Sequence, residues 1–134
     1  MRDMHNNITV VHAISPQTVS TTGAANGRLS AVVDRRGFDT TEFVFSSGAS
    51  ASVADTITPI LYDSDTATTA GFAAAAAADT IGLTALTLSA AKSGRVGYIG
   101  NKRYVGLRVY GTGTATAIVS AVAIAGKASR APVT

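Results

Sequence analysis

The sequence predicts an all-β domain: an antiparallel sandwich of about eight strands, jelly-roll-like, with extended arms over residues 1–7 and 127–134. Three observations predict it. Short runs of alternating apolar and polar residues recur along the chain. Gly, Asp, Asn, Ser and Pro separate these runs. Charged residues make up only 14% of the chain, against about a quarter in an ordinary domain, and Ala, Gly, Thr and Ser take their place. The 134 residues suit a single domain over 1–134, long enough to bury roughly two-thirds of the surface its unfolded chain exposes.

The elements follow in order. "ITVVHAI" alternates Ile8, Val10, His12 and Ile14 against Thr9, Val11 and Ala13. Pro16 is expected to end it, because proline donates no ladder hydrogen bond. "GRLSAVVD" places Leu29, Ala31 and Val33 on one face, and "DRRGFD" is a charged turn in which Gly37 can take a positive φ. "TTEFVFSS" is rich in β-branched and aromatic residues, as strands are. "DTITPILYD" alternates Ile57, Pro59 and Leu61 against Thr58, Ile60 and Tyr62, and its proline argues for an edge or a bulge. "GFAAAAAADTIG" is too short between glycines for a stable helix, and Asp79 would sit at the unfavourable end. A close-packed irregular segment with one helical turn is expected there. "LTALTLSAAK" reads as a strand with Leu86 and Leu88 in one register. "VGYI" and "KRYVGLRVYG" read as a hairpin about Gly100–Asn101. "TATAIVSAVAIAG" closes the domain with Ile118, Val122 and Ile124 on one face.

Composition excludes several chemistries. With no cysteine there is neither a disulfide nor a thiolate metal site. The N-terminus lacks the apolar core of a signal peptide, and no apolar run is long enough to cross a bilayer. The two histidines, His5 and His12, lie near one end. His12 shares a face with Ile8 and Val10 and reads as a half-buried structural residue. Ser46, Ser47 and Ser50 lack the Gly-x-Ser-x-Gly elbow. "DSD" at 63–65 is short of the carboxylates a calcium loop needs and reads as a self-capping turn. "GTGTAT" runs into a strand, so it offers phosphate no helix N-terminus. The residues therefore predict no enzyme, no metal and no cofactor.

Charge is unevenly placed. Up to Asp79 the chain carries four arginines against eight carboxylates; beyond it lie seven Lys or Arg and no acidic side chain. Strands from both halves are expected to interleave, so that the charges mix. The sharper alternative is two faces of opposite sign.

The stretch "VGYIGNKRYVGLRVYG" carries the candidate site. Alternation turns Val105, Leu107 and Val109 inward and Tyr104, Arg108 and Tyr110 outward, with Gly106 leaving a shallow gap. Tyr and Arg anchor protein interfaces because each covers a large area and ends in a polar tip. The rival reading is that they stack on one another across a solvated sheet. A net charge of +3 is small for a nucleic-acid binder, which disfavours direct nucleic-acid contact. Lys102, the turn residues Arg35 and Arg36, and Met4, His5 and Arg130 of the arms complete the expected contact set. One or both arms are expected to lie across a neighbouring subunit.

Four segments, "HNNITVVHAISPQTV", "DRRGFDTTEFVFSSGA", "VGYIGNKRYVGLRV" and "SAVAIAGKASRAPV", resemble in order and spacing the small β-sandwich capsid cement, or decoration, proteins of tailed bacteriophages. The resemblance covers most of the chain and rests on strands and turns rather than on a chemical motif. It implies a virion structural protein made in the host cytoplasm and placed on the capsid exterior. Its implied partners are the major capsid protein and itself, as dimer or trimer, and it would hold neighbouring capsomers together. It implies no catalytic residue, no cofactor and no membrane. The Ala-rich segment departs from the pattern. The alternatives are a tail, neck or fibre component, or a small β-module that binds a glycan or nucleic acid.

Overall fold

The computed structural model describes residues 4–19, 23, 27–50, 55–87, 89–112 and 117–128. Two antiparallel sheets face each other. The first holds β1 (Ile8–Val19), β11 (Ala117–Ala128), β4 (Phe38–Ser47), β9 (Lys92–Tyr98) and β7 (Thr80–Ile81), in that order. The second runs β2 (Arg28–Leu29), β10 (Tyr104–Thr112), β5 (Thr56–Ser64) and β6 (Ala73–Ala74). Short β3 (Val33–Asp34) also pairs with β10, and β8 (Leu86–Thr87) with β5. The fold is thus an all-β, jelly-roll-like sandwich. Six long strands carry it, and five two-residue strands extend the sheets. Among the described residues no helix is long and apolar enough to cross a membrane.

The core lies between the sheets. Phe43, Phe45, Val96, Tyr98 and Val119 from the first sheet meet Ile57, Leu61, Val105, Leu107 and Val109 from the second. The predicted alternation of β10 holds, with Val105, Leu107 and Val109 each 0% exposed. Each such side chain contributes about 1.5–3 kcal/mol by leaving water.

β1 departs from its expected pattern. It continues through Pro16 to Val19. Pro16 is tolerated because β1 is an edge strand, and the ladder to β11 is irregular between Ile14 and Gln17. A second register shift, between His12 and Ile14, turns Ala13 and Ile14 both inward. Val10 and His12 therefore point outward, and His12 is exposed rather than half-buried.

"GRLSAVVD" is also not one strand. Leu29 and Val33 pair with β10, and Ser30 N–H donates to Leu107 O at 2.7 Å, but Ala31 N–H turns to Ala13 O of β1 at 2.9 Å. Ser30 is buried there and accepts from Leu107 N–H at 2.9 Å. Gly37 takes φ +89°, as the turn required. Pro59 stands opposite Val109 of β10, and on its other side β5 has only short partners, β8 at Ile57 and β6 at Tyr62.

The expected hairpin about Gly100 does not form. β9 pairs with β4 in the first sheet and β10 with β5 in the second, so residues 99–103 cross between sheets. The Ala-rich segment is irregular, as expected, with a single-turn 3-10 helix at Ala77–Asp79, but most of it is exposed rather than close-packed. Of the predicted 83–92 strand, β8 and the start of β9 remain; Leu88 lies outside the described residues.

The charges mix. Ion pairs join Arg95 to Glu42, Lys102 to Asp65, Arg103 to Asp34 and Lys127 to Asp39. Each couples an acid from the first half to a base from the second.

Candidate functional site

The expected contact strand presents Tyr104, Arg108 and Tyr110 on the outer face of the second sheet, all half-buried. Their neighbours come from the same chain. The Arg108 guanidinium lies 4.7 Å above the Tyr62 ring, with Nη1 3.4 Å from its hydroxyl. Arg103 lies 4.8 Å above the Tyr104 ring. It also grips Asp34 through two parallel bonds, Nε to Oδ1 at 3.0 Å and Nη2 to Oδ2 at 2.7 Å. The Arg103 guanidinium holds the Asp34 carboxyl down at about 2. The gap over Gly106 is filled: a Cβ there would meet Phe72 Cε1 at 3.4 Å and Leu29 Cδ1 at 3.6 Å. The arginines therefore stack on tyrosines of their own sheet, as the rival reading had it, although the face remains part-open.

Arg35 is not a contact residue. It is 8% exposed, because its guanidinium clamps the crossing between the sheets. Nη1 donates to Gly100 O and Lys102 O, both at 2.8 Å, and Nη2 donates to Asp39 O at 2.6 Å. Its plane covers the Tyr98 ring at 4.7 Å. Tyr98 is 0% exposed; its hydroxyl donates to Asp63 Oδ2 at 2.8 Å and accepts from Lys102 N–H at 3.2 Å. Burial, aided by the Asp63 bond, pushes this hydroxyl up to about 12. Gly100 is required here, since a Cβ would collide with the Tyr98 hydroxyl. Lys102 and Arg36 stay exposed beside this clamp, Lys102 with its ammonium on Asp65. Met4 is 72% exposed, and His5 opens a single-turn 3-10 helix at His5–Asn7. Arg130 lies outside the described residues.

A second surface was missed. On β11 the inward residues are Val119, Ala121, Ala123 and Ala125, all buried, while Ile118 (60% exposed), Val122 (37%) and Ile124 face outward. In register beside Ile124 and Val122 lie Val10 (60% exposed) and His12 on β1, and Glu42 and Val44 on β4. The outer face of the first sheet therefore carries an apolar patch centred on β11 and β1. A signal was present in the sequence: β11 offers one face of mostly small residues and one of large aliphatics. The sequence grouped Ile118, Val122 and Ile124 on one face without saying which way it points.

Ser15 Oγ and His12 Nε2 lie 3.4 Å apart on exposed strand surface. Among the described residues no group of three or more His, Asp or Glu is placed to hold a metal.

The class of molecule is thus a jelly-roll-like sandwich with two outward faces of different character. No family model matches the chain, and no curated protein does. Among solved structures it is similar to the CBM22-1–GH10 modules of endo-1,4-β-D-xylanase 10B from Clostridium thermocellum, complexed with xylohexaose. The match has TM-score 0.59 and 12% identity, over 95% of this chain and 27% of that one. The CBM22-1 xylan-binding domain of Paenibacillus barcinonensis Xyn10C gives TM-score 0.48 and 8% identity, over 92% and 88%. CBM35 from Cellvibrio japonicus Abf62 gives 0.45 and 9%, over 94% and 98%. The fold thus resembles that of carbohydrate-binding modules.

Proposed function

We propose that this chain is a non-enzymatic structural protein that works within a protein assembly, in keeping with its resemblance to capsid decoration proteins. The outer face of β1, β11 and β4 carries the reading. Placing Ile118, Val122, Ile124 and Val10 outside while alanines line the core is unfavourable for a solitary sandwich. It becomes favourable when a protein covers them. On the other sheet, the Tyr104–Arg108–Tyr110 band supplies the residue types that anchor interfaces. The assembly in question is a virion shell, with the major capsid protein as partner.

A second reading is a glycan-binding module. The outward tyrosines and arginines favour it, and the likeness in fold to carbohydrate-binding modules leans the same way. Against it, Phe72 and Leu29 occupy the middle of that face, and Arg103 and Arg108 cover tyrosine rings.

Co-sedimentation with purified capsid shells, beside an oligosaccharide array, separates the two. The assembly reading expects uptake onto shells, with Val122→Asp lowering uptake at least tenfold and leaving the thermal midpoint within a few degrees. Oligosaccharide binding that Arg108→Ala abolishes, with no uptake onto shells, would replace it with the second reading.

A further inference from the structure

We propose that the apolar face of the first sheet is covered by a second copy of this chain, packed sheet against sheet about a two-fold axis. This rests on the assembly reading and makes a second copy, rather than the major capsid protein, the direct cover of that face; loss of the pairing is then how Val122→Asp lowers shell uptake.

Size is the first argument. β1, β11, β4 and β9 have 12, 12, 10 and 7 residues. At about 3.4 Å per residue and 4.8 Å between strands they make a face of about 700 Å². A stable interface takes about 800 Å² from each partner. One copy of the face supplies nearly all of this, whereas a peptide or a single docked strand would leave most of it wet.

Charge is the second. Glu42 and Arg95 lie 3.8 Å apart on this face, and Lys127 and Asp39 pair at its end at 3.7 Å. Charges matched within the chain give a strongly charged partner little to complement. They do suit a two-fold pairing, in which residue i meets residue j and j meets i. Glu42 of each copy can then be set against Arg95 of the other.

Shape is the third. Ser120, Ser46 and Ser93 lie side by side across β11, β4 and β9. These small residues leave a hollow beside Val44 and Val122. Ser46 and Ser120 bond each other at 2.9 Å, so covering them leaves one of their two hydroxyl hydrogens to be satisfied across the interface. Ridges and a hollow on one face are what two interdigitating sheets need. Joining copies along the whole β1 edge is disfavoured beyond His12. That edge carries Pro16 and two register shifts, and Ala31 N–H already bonds it at Ala13.

Sedimentation equilibrium of the whole chain tests this, with Val122→Asp on the apolar face and Thr58→Asp on the opposite outer face. Wild type and Thr58→Asp should be dimers at tens of micromolar. Val122→Asp should raise the dimer dissociation constant at least 100-fold with an unchanged circular dichroism spectrum. A wild type that is monomeric throughout overturns the proposal, as does a dimer broken by Thr58→Asp and not by Val122→Asp. If the wild type is monomeric but Val122→Asp still weakens shell uptake, the second copy is wrong and the assembly reading stands. If Val122→Asp changes neither, both fall.

Discussion

Replacing Tyr98 by Phe should destabilise the fold by about 2–3 kcal/mol at neutral pH, and the loss should vanish in strong alkali. Tyr98 is fully buried, and its hydroxyl serves two partners, Asp63 Oδ2 and Lys102 N–H. A hydrogen bond to a charged group is worth about 1.5–3 kcal/mol, and its removal leaves Asp63 to find water. The hydroxyl is also held protonated: burial raises it from its ordinary 10.0 to about 12. The folded state therefore retains a proton that the unfolded state releases first. The stabilisation is fully present below pH 10 and is lost as pH rises toward 12, by about 1.4 kcal/mol for each pH unit between. Urea unfolding followed by circular dichroism at pH 7, 9, 10, 11 and 12 measures both proteins. The gap between wild type and Tyr98→Phe should be widest below pH 10 and should close by pH 12. Absorbance near 295 nm should show one of the four tyrosines titrating late. A Phe variant within 0.5 kcal/mol of wild type at pH 7, or four tyrosines titrating together near pH 10, would refute the hub assigned to Tyr98.

Arg35→Lys should cost about 2–3 kcal/mol in urea unfolding, because an ammonium cannot reproduce a planar fork onto Gly100 O, Lys102 O and Asp39 O; a change under 0.5 kcal/mol would remove Arg35 from the clamp. Leu107→Ala should cost about 2–5 kcal/mol by opening a core cavity, with thermal unfolding as the readout.

The strand pattern was legible wherever one face is buried and one is not. β10 is the clearest case, since Val105, Leu107 and Val109 alternate with Tyr104, Arg108 and Tyr110 and a slip would bury Arg108. Alternation failed where geometry intervened. The bulge after His12 reversed the later half of β1, and no residue in "ITVVHAI" announces it. Sheet membership was not legible either. Gly100–Asn101 carries a hairpin dipeptide, but Arg35, 65 residues away, holds that backbone in a crossing instead. Arg35 itself looked like a solvated turn residue, because only the folded chain brings three carbonyls around it. On β11 both faces are apolar, so periodicity gave the register and left the inward face undetermined.

One further consequence follows from the pairing of β1 with β11. Among the described residues the first long strand pairs with the last, with Ile8 opposite Gly126, and β11 also separates β1 from β4. During synthesis the first sheet therefore cannot close until the final strand has left the ribosome. Until then, β1 and one edge of β4 lack their partner strand, and pairing between segments so distant in sequence is expected to be slow. Joining the neighbouring ends of β1 and β11 by a short turn, and opening the chain in the loop between β4 and β5, would convert this long-range pair into a local hairpin. That permutant should refold faster than the natural order while keeping the same sandwich.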